Sequence, residues 1–199
     1  MDAMALSAAL ARVTRFVAAV STGVPRVDEA LPALRRLLED AGVHFKLAGG
    51  VAVIHHGYVR ATDDLDVLVE ADALGRIRPL LGSYGFSAES DSRLRHLATG
   101  VGVDLLVAGR PLPRAGAGSY PSPVEVGASP GDSAIVDLPS LVTLKLRAAR
   151  HQDLADVVAL LKPLEDVAYT VLESQVPAEL RPRLAELRRD ALEELSWSR

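Results

Sequence analysis

Two aspartates, Asp64 and Asp66, head the apolar run Leu65, Val67, Leu68, Val69. On an extended strand successive side chains alternate faces, so the two carboxylates share one side, ~7 Å apart at strand rise. Leu65, Val67 and Val69 then anchor the opposite side. Carboxylates at this separation suit one or two hard cations, and Mg²⁺ prefers carboxylate and phosphate oxygens and is rarely caged by protein alone. Taken alone, the pair also reads as a solvated acidic strand face. Asp63 adds a third acid beside it, but the metal role falls on Asp64 and Asp66, because the strand then continues inward correctly through Val67 to Val69.

Three further features bear on that choice. Asp104 interrupts the apolar run Val101 to Val107, and a carboxylate buried in such a strand needs a partner. A neighbouring strand would set it beside Asp64 and Asp66, where a cation resolves the repulsion of like charges. The alternative is a salt bridge to Arg93 or Arg95 across a hairpin. Gly49-Gly50 lies between an apolar strand and a short helix, where glycine lets the backbone approach a ligand and free N–H groups face an anion. Lys145 sits at the centre of the helical stripe formed by Leu138, Leu141, Val142, Ala148 and Ala149. It must pair with one of the carboxylates, reach a phosphate, or snorkel to water. His55 and His56 are adjacent on a short helix and point apart, which argues against a shared metal ion.

The elements that would position these residues are legible in part. Helices are expected over Leu6–Val20 and up to Ala41, the latter regular from Pro32 and closed by Gly42. Strands are expected at Val43–Leu47, Leu65–Val69, Arg93–Ala98 and Val101–Val107, the last two antiparallel. A helix is expected over Ala71–Leu81. Residues 108–133, rich in Pro, Gly, Ser and Ala, read as a long loop with one short strand at Val124–Val126, followed by an edge strand at Ile135-Val136. Asp137 caps a helix running to Ala149, with Pro139 in its first turn. Helices then cover Asp153–Leu161 and Pro177 onward, the last offering Leu180, Leu184, Leu187 and Leu195 for packing. This predicts an α+β domain: N-terminal helices over 1–42, a mixed β-sheet core over 43–136 and a helical region over 137–199.

The chain of 199 residues carries a net charge of −4, without the basic excess of a dedicated nucleic-acid binder. Nineteen arginines stand against three lysines, Lys46, Lys145 and Lys162. The absence of cysteine removes disulfides and thiolate metal sites and points to a reducing cytoplasm. The alanine-rich Ala5–Val20 stretch is interrupted by Arg12 and Arg15 and reads as an amphipathic helix rather than a signal peptide, and no apolar run is long enough to span a membrane.

Taken together, Ala48-Gly49-Gly50, Asp64-Leu65-Asp66 and the later Asp104 resemble the nucleotidyltransferases of the DNA polymerase β superfamily. Arg60-x-Thr62 and the Lys145…Arg150-x-x-Asp153-x-x-Asp156 pattern resemble its minimal and abortive-infection toxin branches. The resemblance covers roughly residues 43–161. It implies a mixed-sheet nucleotidyltransferase core and a Mg²⁺-dependent (or Mn²⁺-dependent) enzyme that moves a nucleoside monophosphate from an NTP such as ATP to a hydroxyl on a small molecule, an RNA end or a protein. It implies that Asp64, Asp66 and Asp104 are the catalytic metal ligands. Gly49, Gly50 and Lys145 would steady the triphosphate, and Arg60 and Thr62 would contact it or brace the loop. Gly50 stands where many members carry a phosphate-binding serine. The other reading is a catalytically weak nucleotide-binding or partner-binding module, such as one component of a toxin–antitoxin pair. A protein partner or a homodimer is compatible with either.

Overall fold

The computed structural model describes residues 26–114 and 116–197; the helix expected over Leu6–Val20 lies outside them. The first described helix, α1 (Val27–Asp40), starts five residues before Pro32. Its first turn forms because Val27, Ala30 and Leu31 continue the buried stripe of Leu34, Leu37 and Leu38. Pro32 stands on the exposed face, where packing of that stripe outweighs the ladder bond proline cannot make. Gly42, at φ 61°, turns the chain into β1 (Phe45–Leu47).

The short α2 (Gly49–His55) leads to β2 (Asp64–Val69). The helix expected over Ala71–Leu81 is split into α3 (Ala73–Ile77) and a 3₁₀ segment, Arg78–Tyr84, closed by left-handed Gly85. Pro79 lacks the N–H that would continue the α ladder, so the chain tightens there. Next come β3 (Phe86–Ala88), β4 (Arg93–His96) and β5 (Gly102–Val107). The strand expected at Val124–Val126 is absent: those residues form a turn, and the strand there is β6 (Ala128–Ser129). β7 (Asp132–Val136) is longer than expected and is not an edge, since it lies between β1 and β6.

The seven strands are ordered β3-β4-β5-β2-β1-β7-β6. The sheet is mixed. β2 runs parallel to β5 and β1 parallel to β7, while β1–β2, β3–β4, β4–β5 and β6–β7 are antiparallel. With helices packed on it, the chain has an α+β fold.

After the sheet come α4 (Leu138–Ala148), α5 (His151–Leu161), α6 (Asp166–Gln175), a 3₁₀ turn at Ala178–Leu180, and α7 (Arg181–Trp197). Helix α4 serves two apolar clusters. Leu141 and Leu144 join the sheet's core with α1 and α2. Val142 and Leu146 join Val157, Leu161, Leu172, Leu184, Leu187 and Ala191 of the helices that follow. Buried Arg188 of α7 donates to the carbonyls of Leu161 and Leu164, both at 2.8 Å, and satisfies the C-terminal end of α5. Among the described residues no helix is long and apolar enough to cross a membrane.

The Asp137 carboxylate accepts a hydrogen bond from the Ser140 N–H at 2.9 Å and caps α4, which starts with proline in its first turn. Asp137→Ala is expected to cost about 1 kcal/mol. A lower urea midpoint at unchanged slope is the expected result; an unchanged midpoint would deny the cap a role in stability.

Candidate active site

The parallel pairing of β2 with β5 places the acids. Asp64 lies opposite Gly102, and Asp66 lies opposite Asp104. Paired residues of adjacent strands point the same way, so Asp64, Asp66 and Asp104 share one face of the sheet. Leu65, Val67 and Val69 on the other face are fully buried, which sets the register against a one-residue slip.

Asp104 satisfies both expectations drawn for it. It neighbours Asp66, and it also accepts from Arg93 Nη1 at 2.6 Å across the β4–β5 pairing. The guanidinium lies over Gly102, where a Cβ would stand 3.1 Å from Arg93 Cζ. Arg95 pairs with Glu89 instead.

Neither the Asp64 nor the Asp66 carboxylate accepts a hydrogen bond from the described residues. Burial, then Asp104 and Asp63, push the Asp64 pKa up. Burial, then Asp64 and Asp104, push Asp66 up to about 6, against the pull of Lys145 and Arg150. Among the described residues no group of three His, Cys, Asp or Glu side chains is arranged as it stands to hold a metal ion. Like charge and the pull of Arg93 on Asp104 both oppose closure of the three acids.

Glycine is required beside the acids. Gly49 has φ 53°, and a Cβ there would collide with the Asp66 carboxylate. At Gly50, a Cβ would stand 2.7 Å from Thr62 Cβ and would also meet the Thr62 hydroxyl. The Thr62 side chain thus fills the space that a side chain at position 50 would take. Its hydroxyl has only a long bond, 3.3 Å, to the Asp64 carbonyl.

Arg60 braces this loop. Its Nε and Nη2 donate to the two oxygens of Asp156 at 2.7 and 2.9 Å, and Nη1 donates to the Ala61 carbonyl. Lys145 is buried, as its place in the apolar stripe required, but its partners are not the acids of the sheet. Its Nζ donates to Asp153 at 3.1 Å and Asp156 at 2.6 Å, both on α5. Burial pushes Asp153 and Asp156 up, yet both end below the usual carboxylate range. Arg150 and Lys145 outweigh burial at Asp153; Arg60, Lys145 and Gln152 do so at Asp156. The signal for this network is present in the sequence: Asp153 and Asp156 sit one turn apart on the stripe that carries Val157 and Leu160.

A cavity of about 560 Å³ opens beside the acids. Asp66, Asp104 and Gly49 line it, Leu105, Leu112, Leu141 and Leu144 form apolar walls, and Arg110, Arg114, Lys145 and Arg150 bring positive charge. Tyr120 is the aromatic side chain among its lining residues. The Pro/Gly segment that follows β5 therefore forms one wall. Outside this cavity, His55 bonds Ser129 Oγ at 2.8 Å and His56 the Val136 carbonyl at 2.9 Å, tying α2 to β6 and β7.

No family model and no curated protein matches this chain. Among solved structures it is similar to the antibiotic-resistance factor ANT(2'')-Ia. Against its solution structure the TM-score is 0.41 at 14% identity, over 85% of this chain and 95% of that one. Against its crystal structure in complex with adenylyl-2''-tobramycin the TM-score is 0.40 at 14% identity, over 83% and 96%.

The folded state raises the Asp66 pKa from 3.8 to about 6. Between those values it binds a proton the unfolded chain has released, so stability of the metal-free protein falls as pH rises through that window and then levels. Asp66→Asn removes this penalty and should stabilise the protein at pH 7 by on the order of 2 kcal/mol, with no gain below about pH 4. Urea titrations with a chelator at both pH values test this; destabilisation at pH 7 would contradict the crowding of the acids. Asp156, with no exposed surface, should behave oppositely. Asp156→Ala strands Arg60 and Lys145 and is expected to cost roughly 3–5 kcal/mol at neutral pH, read as a loss of denaturation midpoint.

Proposed function

We propose that the chain is a nucleotidyltransferase that moves a nucleoside monophosphate from an NTP to a hydroxyl acceptor and releases pyrophosphate. The observation that carries this reading is the register of Asp66 with Asp104 on parallel strands. Asp64 lies on the same face, and Asp66 and Asp104 line a cavity of nucleotide size. Asp64 and Asp66 lack hydrogen-bond donors and are pushed toward protonation, a state that bound cations relieve. The donor set is all carboxylate, which fits Mg²⁺ or Mn²⁺.

Asp64 and Asp66 would hold two such ions, with Asp104 sharing one. When bound, the ions would acidify the acceptor hydroxyl and offset charge on the reacting phosphoryl group. The chain's own groups do the rest. Asp104, held by Arg93, accepts the hydroxyl proton. Gly49 and Gly50 let the backbone approach the triphosphate, and Thr62 offers its hydroxyl in the space over Gly50. Arg60 acts through the loop it braces, and Lys145 through Asp153 and Asp156. The apolar walls and Tyr120 take the nucleoside. The acceptor belongs to a hydroxyl-bearing small molecule, an RNA end or a protein.

Incubation with each labelled NTP, Mg²⁺ and a cell extract, followed by mass spectrometry, should yield a nucleotidylated product and pyrophosphate. Asp104→Asn should reduce turnover by about three orders of magnitude or more while leaving the melting temperature near that of the parent. Undiminished transfer by that variant would sink this reading.

A further inference from the structure

Six cations stand in or around the cavity, Arg60, Arg93, Arg110, Arg114, Lys145 and Arg150, and five of them are occupied or loosely held. Arg60 and Lys145 are engaged with Asp156 and Asp153; Lys145 lines the cavity but is buried, and Arg60 does not line it. Arg93 is committed to Asp104 and Glu89. Arg110 has one 3.5 Å contact with the Asp91 carbonyl, and the Arg114 side chain has no hydrogen bond among the described residues, so no carboxylate fixes either on its loop. Arg150 differs from all of these in being both anchored and open.

Its backbone is set by Ala149, which adopts φ 50° and is the one non-glycine residue with positive φ among the described residues. A left-handed alanine costs about 1 kcal/mol, and such strain persists where packing over-determines the turn. Here α4 and α5 meet at that turn, with Leu146 buried before it and Asp153 buried after it. The side chain is fixed by Asp153, which accepts from Nε at 2.7 Å and from Nη2 at 3.4 Å. Asp153 is itself buried and held by Lys145. Nη1 has no partner among the described residues, and the side chain is 72% exposed at the cavity.

We propose that Arg150 is the residue that meets the polyphosphate of the bound nucleotide, with Lys145 as a positioning residue that acts through Asp153. The inference rests on the nucleotidyl-transfer reading. A guanidinium held on one side by a buried carboxylate presents its free N–H groups in a fixed direction, and forked N–H groups match phosphate oxygens. Lys145, buried between two aspartates that take two of its three N–H groups, has no fork to offer.

Calorimetric titration with two probes tests this: a non-hydrolysable ATP analogue and inorganic tripolyphosphate, each with Mg²⁺. Arg150→Gln should weaken both by about tenfold or more, and Arg150→Lys should restore part of the loss, because charge is kept and the fork is not. Melting temperatures should stay near that of the parent, since the side chain is exposed. If the parent binds the probes and Arg150→Gln binds them within twofold of it, the assignment is overturned while the enzymatic reading stands. Loss confined to the ATP analogue would also overturn it, by moving Arg150 to the nucleoside. If the parent binds neither probe, the nucleotidyl-transfer reading falls and the assignment with it.

Discussion

The Asp156 carboxylate organises this molecule. It has no exposed surface and accepts from Arg60, Lys145 and Gln152. A buried carboxylate is tolerable only when its oxygens are saturated with donors in good geometry. Here the donors come from three places: the loop ahead of β2, helix α4 and helix α5 itself. One anion thereby joins the loop that carries Thr62 to the helices that close the cavity.

The acids of the sheet form the opposite case. Asp64 and Asp66 are crowded and lack donors, and their preference for protonation follows from that arrangement. Arg93 draws Asp104 away toward β4. The protein thus satisfies Asp153 and Asp156 with its own cations and leaves Asp64 and Asp66 without donors. Buried charge placed without an internal partner is the usual physical mark of a group reserved for something outside the chain. Gly49 sharpens this, because the backbone is brought so close to Asp66 that no side chain fits between them.

Much of this was legible in the residues. β2 and β5 announce themselves by alternation broken only by aspartate, and the burial of Lys145 follows from its place on an apolar stripe. Asp153 and Asp156 were legible as acids on the apolar stripe of α5, but their choice by Lys145 over the acids of the sheet was not, because the packing of α4 on α5 depends on a left-handed alanine that no local preference foretells. β3 and β6 are too short to show a period. The strand expected at Val124–Val126 failed because valine's preference for extended structure yields to a turn between Ser122 and Glu125. The helix expected over Ala71–Leu81 gives way to a 3₁₀ segment at Pro79, which has no N–H for the α ladder. Helix α6 has no apolar stripe to read, since Val167 and Val171 lie exposed and only Leu172 is buried.

Helix α4 turns one side to the sheet's core and the other to the helical cluster. A beam shared by two rooms cannot be removed from either. The sheet and the terminal helices should therefore melt as one cooperative unit, with amide protons of β2 and α5 escaping to solvent together, and neither half should survive being grafted alone onto another protein.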